Sequence, residues 1–138
     1  MSNFNKNFKA MWWKVKAFSA RVYYGYPASR LKIIGVTGTS GKTTTATLLY
    51  KIALGLEYKV GLISTVENLM NGESLGENSK GPGTTPDAVT LTKIFHTMYK
   101  AGCEYVIMEV SSHAVVQGRV DNIKFVGGIF TNLSQDHL

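Results

Sequence analysis

The sequence predicts an α/β domain with a mainly parallel sheet. Short apolar runs alternate with runs of helical spacing, and a glycine-rich turn separates the first apolar run from the helix-forming run that follows it. The residues with most chemical capacity also fall directly after the apolar runs, at the strand ends where parallel sheets hold their ligands. With 138 residues, 44% of them hydrophobic, the chain can bury one core and is too short for two ordinary domains.

The first element is a basic amphipathic helix. Residues 1–7 are polar and are expected to fray; from Phe8 to Val22, the residues Phe8, Met11, Trp12, Val15, Phe18 and Val22 share one helical face. Lys9, Lys14, Lys16 and Arg21 occupy the others. The stripe suits packing on the domain or on a partner region, and equally an interfacial membrane anchor. Packing is the favoured expectation because any surface helix needs such a stripe, while Trp13, off the stripe, keeps the membrane option open. Tyr23-Tyr24-Gly25-Tyr26-Pro27 breaks the helix. Residues 1–30 are therefore expected to form a helix and linker, and residues 31–138 the domain.

Leu31, Ile33, Ile34 and Val36 read as a buried strand, and Ala46, Leu48, Leu49, Ile52, Ala53 and Leu56 recur at helical spacing. Between them lies Thr37-Gly38-Thr39-Ser40-Gly41-Lys42-Thr43-Thr44. Its glycines let the backbone bend around an anion, the helix N-terminus supplies positive potential, and Lys42 adds a mobile charge. The strict phosphate-loop pattern has a glycine where this chain has Val36, so the match is a variant, and a plain glycine-rich turn with a surface lysine is the competing reading. The order strand, Gly-Lys-Thr, helix favours a phosphate cradle, with the Thr43 hydroxyl placed for a magnesium ion bound to the phosphates.

Lys59 to Ser64 forms a second strand, and residues 67–83, rich in Gly, Asn, Glu and Ser, form a hairpin or loop. Thr84-Thr85-Pro86-Asp87 ends that loop and caps a helix whose apolar positions are Val89, Leu91, Ile94, Phe95 and Met98. Glu104 to Val110 reads as a buried strand carrying an acid, Glu109, near its end. A buried carboxylate needs a positive partner or backbone donors; magnesium is one solution and a lysine or capping amides another. A short helical or irregular piece runs to Gly118-Arg119, and Arg119 suits a bidentate grip on an anionic group or simply a solvated surface. The last apolar run, Phe125 to Phe130, leads into Asn132 and His137. His113 and His137 stand beside strand ends, although a lone histidine is more often a structural hydrogen-bonder.

The net charge of +6 is uneven: residues 1–56 carry nine Lys or Arg and no acid. That balance suits polyphosphate ligands, a membrane surface or nucleic acid, but the aromatic and zinc-finger patterns of nucleic-acid binders are missing. No apolar run reaches the roughly 20 residues of a membrane span, and lysines interrupt the N-terminal apolar residues where a signal peptide would be continuous. The single cysteine, Cys103, provides no disulfide framework, points to a cytoplasmic setting, and reads as a small buried residue at a helix-to-strand junction.

Gly35 to Thr45, Thr84-Thr85-Pro86, Met108-Glu-Val-Ser-Ser-His-Ala114, Gln117-Gly-Arg119 and Thr131-Asn-Leu-Ser-Gln-Asp-His-Leu138 together resemble the Mur ligase family, across roughly residues 23–138. Within it they are most similar to members that add the third residue to UDP-N-acetylmuramoyl-L-Ala-D-Glu in peptidoglycan synthesis. The resemblance implies ATP-dependent amide formation through an acyl phosphate; separately, a monomer is expected. The family likeness assigns Gly38, Thr39, Ser40, Gly41, Lys42, Thr43 and Thr44 to ATP, Lys42 also to the migrating phosphoryl group, Thr43, Glu109 and His137 to magnesium, and Asn132 to the nucleotide. Ser64, Thr84, Thr85, Ser111, Gln117 and Arg119 would hold the UDP-muramoyl-dipeptide.

Two departures stand out: Gly83 where the family usually has asparagine, and Ser40 where asparagine is common. The family's uridine-binding domain before the phosphate loop, and its carbamylated lysine and amino-acid-binding domain, have no counterpart in these residues, so the chain is expected not to ligate alone. Alternatives are a nucleotide-binding module without turnover, or a ligase of the folylpolyglutamate or cyanophycin synthetase kind.

Overall fold

The computed structural model describes residues 3–76 and 86–133. Helix α1 (Asn3–Tyr23) leads through a 3-10 turn (Pro27–Arg30) into β1 (Lys32–Thr37), α2 (Lys42–Gly55) and β2 (Val60–Ile63). A hairpin of β3 (Asn68–Met70) and β4 (Glu73–Ser74) follows, then α3 (Ala88–Lys100), β5 (Tyr105–Glu109), α4 (Ser112–Val116) and β6 (Phe125–Phe130). The six strands form one sheet in the order β4-β3-β2-β5-β1-β6, with β2, β5, β1 and β6 mutually parallel and the hairpin antiparallel at one edge. The fold is therefore the α/β class expected, with β5 inserted between β1 and β2.

The two faces of the sheet are covered by different helices. On one, Leu91, Ile94, Phe95 and Met98 of α3 pack against Ile33, Ile63, Val106 and Met108. On the other, Ala46 and Tyr50 of α2 meet Val36, Val60, Leu62 and Ile107. Central strands sandwiched this way are apolar throughout, which is why β2 and β5 read as continuous runs. Gly61 lets α3 approach: a Cβ there would stand 2.5 Å from Met98 Sδ. The hairpin turns on Asn71-Gly72, both at positive φ (52° and 91°), the pairing that two-residue hairpins favour.

Helix α3 begins as its sequence predicts. Asp87 accepts from the Thr90 N–H (3.0 Å) through one carboxylate oxygen and from the Thr90 hydroxyl (2.8 Å) through the other. Partial burial pushes the Asp87 pKa up, but these bonds together with those from backbone N–H groups outweigh it, and the net shift is downward from 3.8. A carboxyl depressed on folding contributes stability above its unfolded pKa and loses it as pH falls through the folded value. Asp87→Ala is thus expected to cost about 1 kcal/mol at neutral pH. The deficit in thermal midpoint against wild type should shrink below pH 4; a pH-independent deficit would point to packing instead.

Two expectations are corrected. Helix α1 extends back to Asn3, so residues 3–7 are helical. Its apolar stripe does not pack on the domain: Phe8, Met11, Trp12, Val15, Phe18 and Val22 are all about half exposed, and the buried residue of the helix is Ala17. Behind α1, the linker is held to α3 by Tyr24, whose ring lies 4.8 Å from that of His96, and by Arg30 Nη1 donating to the Tyr99 hydroxyl (3.1 Å). In α2 the buried positions are Ala46 and Tyr50, while Leu48, Ile52 and Leu56 face outward. Helical spacing shows that a face is apolar without saying what lies opposite it. Cys103 is buried as expected, and burial pushes its thiol up to about 11, against the lowering influence of Lys59.

Candidate active site

The carboxyl ends of β1, β2, β5 and β6 point to one edge, and each delivers part of the site. After β1 the chain turns through Gly38 (φ 138°) and Gly41 (φ 81°) into α2. A Cβ on Gly38 would run into the Thr131 hydroxyl, so only glycine fits. The N–H groups at the start of α2 lack intrahelical partners, and the first turn itself carries no acid. Lys42 Nζ curls back over the loop to the Gly38 carbonyl (2.8 Å). Thr44 is exposed in the same first turn.

Glu109 ends β5, fully buried beside β1, and the register pairs it with Val36. Its Oε1 accepts from the hydroxyls of Thr43 (2.8 Å) and Thr65 (3.1 Å), and its Oε2 from the Thr65 N–H (2.9 Å). One carboxylate thus ties together the first turn of α2, the end of β2 and the end of β5. Hard oxygen donors gathered beside a phosphate loop are what magnesium takes, so Thr43 and Glu109 fit that ion. Among the described residues no three His, Cys, Asp or Glu side chains cluster as a metal cage. A magnesium bound mainly through phosphates and one or two protein oxygens needs no such cage.

From β6, Asn132 clasps the loop. Its Oδ1 accepts from the Thr39 N–H (3.2 Å), the Thr39 hydroxyl (2.7 Å) and the Ser40 N–H (3.0 Å), and its Nδ2 donates to Ser40 Oγ (2.8 Å). Thr131 adds a hydroxyl bond to the Ser40 carbonyl (2.6 Å). These bonds fix the Thr39-Ser40 segment and leave the N–H groups of Gly41 to Thr44 free of helical partners for an anion.

The remaining expected residues are more scattered. Ser64 is buried, and its hydroxyl donates to the Glu67 carbonyl (2.9 Å) and accepts from the Val66 and Glu67 N–H groups (both 3.3 Å), so it shapes the turn after β2. The Ser111 hydroxyl accepts from the Ala114 N–H (3.1 Å) as the N-cap of α4, and His113 is exposed on that helix. Gln117 and Arg119 line a cleft of about 750 Å³ whose other walls include Trp13 and Lys14 of α1 and Asp87 at the start of α3. Thr84, Thr85 and His137 lie outside the described residues. Thr65 and Thr131 were not assigned roles from sequence; a threonine after a strand carries no distinctive spacing, and only the strand order brings them to the loop.

Residues 36–138 match the Mur ligase middle domain. The chain belongs to the Mur ligase family. It is 51% identical over 120 residues to the UDP-N-acetylmuramoyl-L-alanyl-D-glutamate--2,6-diaminopimelate ligase of Bacteroides fragilis, an alignment that covers 87% of this chain and 24% of that protein. The Clostridium tetani protein of the same name is 43% identical over 125 residues, covering 91% of this chain and 25% of its own length. The chain therefore spans about a quarter of these relatives. A solved structure of a ligase of that name superimposes with a TM-score of 0.73 at 29% identity, over 90% of this chain and 25% of that one. E. coli FolC in complex with DHPP and ADP shares the fold, with a TM-score of 0.63 at 21% identity over 83% of this chain and 33% of its own.

Proposed function

We propose that this chain carries the ATP-binding centre of a ligase that joins an amino acid to UDP-N-acetylmuramoyl-L-Ala-D-Glu in peptidoglycan synthesis. The amino acid is 2,6-diaminopimelate, by likeness to the relatives. The observation that carries this reading is the convergence of Thr43, Thr65 and Glu109 beside the loop that Lys42 closes. The β- and γ-phosphates lie against the N-terminus of α2, where backbone N–H groups and Lys42 meet the charge that develops during transfer. Glu109, held by Thr65, orients the Thr43 hydroxyl and presents a carboxylate to magnesium. The ion, when bound, neutralises phosphate charge and fixes the γ-phosphoryl for in-line attack. Asn132 keeps the loop in its receiving conformation.

The substrate carboxylate attacks the γ-phosphorus, ADP leaves, and the amine nitrogen of the amino acid then displaces phosphate from the acyl phosphate to form the amide. Gln117 and Arg119, with Ser111, Ser64, Thr84 and Thr85, are assigned to the UDP-muramoyl-dipeptide, and His137 to a magnesium site. Arg119 is suited to grip an anionic group through two parallel N–H donors.

The test is steady-state ligation by the gene product carrying this chain, with ADP release and the peptide product followed together by mass spectrometry. Arg119→Ala is expected to raise KM for the UDP-sugar about 10- to 100-fold, the value of a charge-assisted bond, with KM for ATP within about twofold. An equal loss of both would mean that Arg119 supports the fold. Nucleotide binding without ligation of any acceptor would favour a binding module instead.

A further inference from the structure

Most of the large apolar side chains of α1 lie on a face that the domain leaves about half exposed. At about 100° per residue, Phe4, Phe8, Met11, Trp12, Val15, Phe18 and Val22 fall within roughly one third of the helix circumference. Their exposures run from 48% to 75%. Ala10, Trp13, Ala17 and Arg21, which look toward the start of α3, lie on a different side, and Phe18, at the edge of the apolar face, also lines the cleft there. Lys9 and Lys16 border the apolar face on one flank, and Lys14 and Arg21 on the other. Lys16 Nζ sits 5.4 Å and 5.3 Å from the ring centroids of Trp12 and Trp13, so a charge is held at the edge of the apolar face beside two indoles. The helix has five Lys or Arg and no acid.

We propose that α1 docks the protein on a bilayer surface containing anionic phospholipid. The helix lies in the headgroup plane, with its Phe8, Trp12 and Val15 face buried at the acyl boundary and its flanking lysines on lipid phosphates. Charge selects this occupant. A second copy of α1 on the stripe would bring five cations against five, whereas an anionic surface attracts all of them. Amphipathic helices with aromatic apolar faces and lysine-rich borders bind interfaces by adding apolar burial to this attraction. Among the described residues no helix is long and apolar enough to cross a membrane, so α1 lies on the surface. The proposal does not rest on the ligase reading, because Phe8, Trp12 and Val15 line no part of the cleft that holds Gln117 and Arg119.

Flotation of the gene product with phosphatidylcholine vesicles, with and without phosphatidylglycerol, tests it. Phosphatidylglycerol is expected to raise the bound fraction about tenfold or more at low salt, with a blue shift of tryptophan emission and reversal at high salt. The double variant Phe8→Glu/Trp12→Glu should lose both signals. Lys9→Glu/Lys16→Glu should lose the phosphatidylglycerol dependence. Both should keep the helical circular dichroism and the ATP affinity of wild type, and Lys42→Ala should bind vesicles like wild type even where it fails to bind nucleotide. Equal recovery with and without phosphatidylglycerol would overturn the proposal. So would unchanged binding by the glutamate variants, or a stripe-dependent dimer that ignores vesicles.

Discussion

Lys42→Ala is expected to remove the nucleotide function almost entirely. The ammonium is the mobile charge inside the loop, resting on the Gly38 carbonyl at 2.8 Å, and it needs only a side-chain rotation to reach a phosphate. Loss of one preorganised charged donor at a developing negative charge costs about 10²- to 10³-fold in rate. The fold should be spared, because Lys42 is partly exposed and its bond is to a loop carbonyl that water can satisfy. Calorimetric titration with magnesium-ATP and single-turnover ADP release are the measurements. Wild-type affinity and rate in the variant would remove the phosphate loop from the mechanism.

Glu109 gives the second large effect, and two substitutions separate its roles. Glu109→Ala removes the acceptor of the part-buried bond from the Thr65 N–H and opens a void where a fully buried side chain stood. The lost bonds and the void left at a fully buried position together cost about 1–3 kcal/mol, so a clear drop in thermal midpoint is expected. Glu109→Gln keeps the volume: its carbonyl can accept from the Thr65 N–H and its amide can donate to the hydroxyl oxygens of Thr43 and Thr65. Stability should then change little while the anionic oxygen is gone. If Glu109 serves magnesium, Glu109→Gln should lose the magnesium dependence of ATP affinity and at least about 10²-fold in turnover. A Gln variant that keeps its response to magnesium would leave Glu109 as a structural knot between β2, β5 and α2.

Much of the site was legible because it is local in sequence. The Gly38 to Thr44 loop, the Asp87 cap and the acid closing β5 each follow from residues within one turn or strand, and the structure has them where the spacing predicts. What spacing did not reveal is partnership. Thr65 joins Glu109 only because β5 pairs with both β1 and β2, a choice made by long-range strand pairing. Asn132 was expected at the nucleotide, yet its side chain is committed to the loop itself, a contact between residues more than ninety positions apart.

The sequence alone determined the alternation of strands and helices, the glycine-rich turn between β1 and α2, and the side-chain types available at the strand ends. These depend on periodicity, φ preference and side-chain type, which are properties of short segments. Tertiary structure decided which apolar faces are covered. Leu91, Phe95 and Met98 of α3 meet the sheet, whereas the stripes of α1 and the outward residues of α2 face solvent, although all three helices show helical apolar spacing. Burial is a relation between two surfaces, and a segment encodes only its own.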